Sequence, residues 1–201
     1  MNKEPISAFD ILLEYPKEKG YEFESHQNDR RLFFVRNESI HTKYVIFKKE
    51  NLVFFAYDSY GIKTGSSTTF SGLYGLIDLP DDFECFMYKK DWADTFLRVH
   101  KRKIGLKSID EQITITSNSE NIPQYLLYQK DAELFLDISE KITPIKLLIQ
   151  NDYLHNVQEY KGKKIIGIEF DGWLYKKEDL DVMISLGAEL LSGMITNCIK
   201  K

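Results

Sequence analysis

Apolar positions along the chain alternate between two periods. Ile6, Phe9, Leu12 and Leu13 fall on one helical face, so a short helix is predicted over Ile6–Glu14, ended by Pro16 and Gly20. Residues 21–36 read as two strands about a polar turn at His26–Asp29, with Leu32–Val35 as the apolar part of the second. Tyr44–Phe47 and Leu52–Tyr57 are rich in β-branched and aromatic residues and predict a hairpin across Lys48–Asn51. A polar loop follows over residues 58–69, containing Gly61, Gly65 and a Ser/Thr run. Phe70–Ile77 then reads as a strand whose Gly72 and Gly75 mark a bulge or a close backbone approach.

Pro80-Asp81-Asp82 predicts a turn into a strand at Phe83–Tyr88. Asp91 is a suitable N-cap for a helix carrying Trp92, Phe96, Leu97 and Val99 to about Lys103, closed by Gly105. Gln112–Thr116 alternates as a half-buried strand, Gln124–Tyr128 reads as a strand after Pro123, and Asp131 is expected to cap a helix bearing Leu134, Phe135, Ile138 and Ile142. Thr143-Pro144 matches N-cap plus first helical position, which predicts a helix through Leu147, Leu148 and Ile149; residues 151–160 carry no clear pattern. Lys164–Phe170 and Trp173–Tyr175 read as strands joined by the type I′ turn signal Asp171-Gly172. A last helix is expected from Lys177 to Lys200, with Leu180, Met183, Ile184, Gly187, Leu190, Leu191, Met194 and Cys198 on a wide apolar face.

This order predicts an α+β fold, mainly antiparallel sheet with packed helices, as one domain over 1–201 with sub-lobes 1–105 and 106–201 left open. Phe86–Asp91 and Leu126–Asp131 look alike, an apolar run ending in Tyr before a Lys-Asp pair, and suggest two pseudo-repeated halves. A chain of 201 residues buries roughly 70% of its unfolded surface. The high aromatic share, 13%, favours sheet.

Phe70–Tyr74, the strand before Asp91, and Gln124–Phe135 followed by an amphipathic helix resemble, in that order, a family of uncharacterised bacterial proteins, a domain of unknown function often found behind a two-helix membrane anchor. The resemblance covers roughly residues 70–195 and rests on apolar pattern and a few Phe, Gly, Tyr and Asp positions. It implies a mixed α+β domain and transfers no catalytic residue. No counterpart of the anchor is read in this sequence, so membrane attachment is not expected to carry over.

The net charge of −4 argues against a whole-molecule attraction to nucleic acid. The run Arg98, His100, Lys101, Arg102, Lys103 is read as cations complementing a helix C-terminus rather than as a phosphate site. No signal peptide is evident, and Val182–Ile199 is too interrupted by polar residues to read as a membrane span, so a cytoplasmic location is expected. Cys85 and Cys198 read as buried, inert thiols. His26, His41, His100 and His155 lack metal-ligand spacing, and Asp78, Asp81, Asp82 and Glu84 read as a solvated turn, so no metal is expected. With no phosphate-binding glycine loop or nucleophile elbow, no cofactor is expected and no catalytic residue is assigned. Trp173 is read as a packing residue.

Three functions remain, the third, by analogy alone, a toxin–immunity or antiphage accessory protein. The first is a non-enzymatic binding or interaction module with a protein or small-molecule partner. The alternative is a hydrolase-like enzyme whose site is assembled from scattered acidic and His residues among His41, Asp58, Asp78, Glu169 and Asp171. A homodimer is left open, because the apolar face of Leu180–Cys198 could serve as core or as interface.

Overall fold

Among the described residues, nine strands join edge to edge in one antiparallel sheet of order β1-β2-β3-β4-β9-β8-β5-β7-β6. The computed structural model describes residues 7–32, 38–61, 65, 67–90, 101–119, 122–123, 125–154 and 157–199. The strands are β1 (Phe23–Leu32), β2 (Glu38–Lys49), β3 (Leu52–Gly61), β4 (Ser67–Leu76), β5 (Cys85–Lys89), β6 (Lys101–Arg102), β7 (Ile113–Ser117), β8 (Ile145–Asn151) and β9 (Lys164–Phe170). The helices are α1 (Ala8–Lys19), α2 (Lys107–Asp110), α3 (Gln129–Lys141), α4 (Lys177–Val182) and α5 (Ala188–Ile199). The fold is α+β, as the sequence pattern predicts. Strands from the two expected sub-lobes interleave, since β5 lies between β7 and β8.

The helices cover one face. Val45, Phe47, Phe54, Leu73, Met87, Ile115, Leu147 and Ile168 point towards Leu12 and Tyr15 of α1, Phe135 and Ile138 of α3, and Leu180, Leu190, Leu191 and Met194 of α4 and α5. The apolar face of the C-terminal helix is therefore occupied within the chain. That stretch, Lys177–Ile199, is by length and composition alone long enough and apolar enough to cross a membrane, at a mean hydropathy of 1.5, and it packs on the sheet here. It contains a π turn, Met183–Gly187. At Gly187 the helix packs on the sheet: a Cβ there would stand 3.4 Å from an Ile168 methyl, an ordinary van der Waals contact. Lys49 donates its ammonium to the Ile184 carbonyl within the turn at 2.7 Å. Lys49→Met is expected to lower stability by about 1–2 kcal/mol, read as a lower urea midpoint with an unchanged slope.

Several sequence expectations are corrected. Pro16 lies inside α1 and does not end it; Gly20, at φ 71°, does. Burial of Tyr15 and Pro16 against the sheet outweighs the proline penalty. His26–Asp29 is the middle of β1 and not a turn. An edge strand with little core to cover can carry polar residues throughout. The predicted loop 58–69 is largely strand, as β3 runs to Gly61 and β4 starts at Ser67. Of the strand expected at Gln124–Tyr128, the described residues form none: Tyr125–Leu126 is a turn and Tyr128 precedes α3. Asp131 sits at the third helical position and accepts from the Tyr128 N–H at 3.1 Å, rather than standing at the N-cap.

The helix expected after Thr143-Pro144 is strand β8. Its apolar run is continuous because a central strand is buried on both faces, with Leu147 and Ile149 towards the helices and Leu148 away from them. No hairpin forms at Asp171-Gly172. β9 already has β4 on one edge and β8 on the other, so Trp173–Tyr175 has no edge to join. Instead the Leu174 N–H donates to Ser71 Oγ, and Trp173 packs on Phe9 and donates to the Tyr57 carbonyl. The helix expected from Asp91 lies mostly outside the described residues, and Lys101–Arg102 is strand. The proposed repeats differ: Phe86–Tyr88 is strand, whereas Leu126–Tyr128 is turn and loop.

Candidate functional site

The sheet face away from the helices carries the chemistry. Strand alternation and register set a row across it: Glu24, Ile46, Phe55, Gly72, Glu169, Lys146, Tyr88 and Thr114, each opposite the next. Gly72 stands opposite Glu169, and Gly167 stands opposite Tyr74. These two glycines make the trough in which the Tyr74 ring lies. A Cβ on Gly72 would fall 2.5 Å from the Tyr74 hydroxyl oxygen, and one on Gly167 would fall 2.2 Å from its ring. The sequence reading offered bulge or close approach, and the unbroken register with this packing makes it close approach.

Tyr74 thereby points its hydroxyl along β4 to Glu169. Glu169, only 1% exposed, accepts from Tyr74 at 2.6 Å and from Tyr153 at 2.7 Å on Oε2. Its Oε1 meets the Lys146 ammonium at 2.8 Å, and Lys146 also reaches Asp171 at 3.2 Å. A buried carboxylate is tolerated when its lone pairs are taken and a cation is near, and both conditions hold. Burial, then the Glu169 charge, pushes the Tyr74 and Tyr153 phenols far up, so both stay protonated donors. Burial opposes the Lys146 ammonium, but the Glu169 and Asp171 carboxylates outweigh it and the net direction is upward.

Beside this network runs an aromatic band. His26, Tyr44, Tyr57 and Phe70 stand opposite one another on four neighbouring strands. His26 stacks on Tyr44 at 5.2 Å, Tyr57 meets Phe70 at 5.6 Å, and Phe70 meets Tyr153 at 6.3 Å. Tyr44, Tyr57, Phe70 and Tyr153 are each partly exposed, over buried Phe55, Leu148 and Leu154. A cavity of about 370 Å³ opens at the β1 side of this face between Glu22, Glu24, Ile46, Val157 and Glu159. The Lys48–Glu159 ion pair, 2.5 Å long, stands at its rim.

Of the acids and histidine named from sequence, only Glu169 and Asp171 come together, on Lys146. Asp58 accepts from Thr69, its cross-strand neighbour, at 2.6 Å and lies on the helix side by alternation. His41 stacks on Tyr60 at 4.7 Å, and Asp78 is exposed after β4. Sequence reasoning missed Tyr74, Tyr153 and Lys146. The spacing Gly72-x-Tyr74 was the available signal, since glycine beside an aromatic in a strand marks a ring laid over bare backbone. Among the described residues no group of three or more His, Cys, Asp or Glu is placed to hold a metal ion. Cys85 and Cys198 are buried, and burial pushes the Cys85 thiol up to about 12.

Comparison of the chain with protein-family models, with curated proteins and with solved structures gave no significant match, so the resemblance over residues 70–195 draws no support from them.

Proposed function

We propose that this protein is a non-enzymatic binding or interaction module, and that its partner docks on the aromatic band Tyr44, Tyr57, Phe70 and Tyr153. The observation that carries this reading is the contiguity of partly exposed rings on a sheet face that, among the described residues, no helix covers. Rigid aromatic side chains give large contact area at little entropic cost and are enriched where partners bind. The neighbouring Glu169 supports binding over catalysis. Its oxygens are engaged by two phenols and an ammonium, which leaves it poorly placed to take a proton from a substrate.

The test is the double variant Tyr57→Ser/Phe70→Ser. A partner retained by the parent chain is expected to bind the variant at least about tenfold more weakly, with the circular dichroism spectrum unchanged. Equal binding would remove the partner from this face.

The hydrolase alternative has one observation in its favour, the meeting of Glu169, Asp171 and Lys146. Turnover of a carboxyl or phosphate ester that is abolished in Glu169→Gln, in a variant that still folds, would establish it in place of the binding reading.

A further inference from the structure

We propose that β1 pairs antiparallel with β1 of a second copy of this chain, about a twofold axis at Gln27, so that two nine-stranded sheets join edge to edge. This uses the sheet edge, not the aromatic face, and stands whether or not that face takes a partner.

β1 is the terminal strand of the sheet, ten residues long, and among the described residues no strand pairs with its outer side. The direction of its backbone groups follows from one hydrogen bond. The Lys48 N–H donates to the carbonyl of Glu22, which stands opposite it next to the pair Phe23 and Phe47. Even-numbered residues of β1 therefore bond inward to β2. Odd-numbered residues (Phe23, Ser25, Gln27, Asp29 and Arg31) present N–H and C=O to the open edge.

Antiparallel pairing sets an outward residue opposite an outward one and an inward residue opposite an inward one. Self-pairing must then place a single residue on the axis, and the choice of residue fixes every cross-strand pair. With Gln27 on the axis, Glu24 stands opposite Arg30 of the second copy, Ser25 opposite Asp29, and His26 opposite Asn28. By symmetry the unlike pair occurs twice and no like charges meet. An axis at Asn28 puts His26 opposite Arg30 and Glu24 opposite Leu32. An axis at His26 sets Phe23 opposite Asp29 and Glu24 opposite Asn28. The Gln27 register also uses nearly the whole strand, from Phe23 to Arg31. Charges on an edge ordinarily repel a second copy; here their order makes them complementary to themselves.

The test is sedimentation of the full chain across a wide concentration range. The parent is expected to move from monomer to dimer mass. Gln27→Pro removes an N–H that faces the axis and none that faces β2, so dissociation should become at least about tenfold easier while the monomer stays folded. Glu24→Arg alone and Arg30→Glu alone should each weaken the dimer by about tenfold, and Glu24→Arg/Arg30→Glu together should restore it. If the proline variant does not fold, the charge exchange decides. A parent that is monomeric throughout, or a dimer indifferent to the charge reversals, overturns the proposal.

Discussion

Glu169→Ala is expected to destabilise the protein by about 3 kcal/mol, among the larger effects available to a single substitution. The loss has three sources. The Tyr74 hydroxyl, on a side chain with no exposure, is left without its acceptor, which costs roughly 1–3 kcal/mol. Tyr153 loses the same acceptor nearer the surface. The Lys146 ammonium loses its closer carboxylate, but Lys146 is one-third exposed and keeps Asp171, so this contribution is small. Glu169→Gln keeps the volume and one acceptor oxygen while turning an amide N–H₂ to the site, and should cost about half as much. Removing both ends of the bond should recover part of the stability: Glu169→Leu/Tyr74→Phe is expected to be more stable than the sum of its single variants, because the Tyr74 hydroxyl is then no longer buried without an acceptor. Urea unfolding at neutral pH of the parent, the two Glu169 variants, the double variant and its two single variants checks each expectation. A Glu169→Ala midpoint equal to the parent's would show that the carboxylate holds nothing.

The second large effect is alkaline. Tyr74 has its pKa raised well above the ordinary 10.0 by burial and then by the Glu169 charge. In the unfolded chain the same phenol ionises at its ordinary value. The folded state therefore holds a proton that the unfolded state has lost, and stability falls as pH rises past 10. The contribution is fully present below that pH and is lost at up to about 1.4 kcal/mol per pH unit for this one residue. Tyr160, pushed up to about 12 by burial, adds a loss confined between the two values, and Tyr153 acts in the same direction as Tyr74. The expected result is a steep drop in the urea midpoint between about pH 10 and about pH 12. Tyr74→Phe, less stable at neutral pH, should show a visibly shallower drop. Equal slopes in the two chains would remove Tyr74 as the cause.

The parts of this fold that were readable from sequence are those whose local pattern and tertiary position agree. The β2–β3 hairpin has its two-residue turn at Glu50-Asn51 inside the predicted segment, and β7 and β9 fall where alternation or an apolar run put them. Local signals failed where the rest of the sheet had already decided. Thr143-Pro144 carries a helix-start signal, yet the apolar run behind it fills the gap between β9 and β5. Asp171-Gly172 is a strong turn signal, yet β9 has no free edge for a returning strand. Glu169 could be named as a candidate because acids are conspicuous in sequence. Its partners could not, because Tyr74 lies 95 residues away and only the β4–β9 register brings the two together. The candidate functional site was thus legible as one residue and illegible as a network.

The place of β9 between β4 and β8 also governs the order in which the protein can be made. As the chain leaves the ribosome, β1 to β4 form a meander from neighbouring segments, while β5, β7 and β8 form a second patch. Until Phe170 has emerged, no described strand joins the two, and β4 lacks its β9 partner beside the apolar Leu73. The closing strand arrives after both patches, and the helix that shields its inner face arrives later still. Nascent chains halted before β9 should therefore bind chaperones, and late truncations should be far more aggregation-prone than trimming of the first helix.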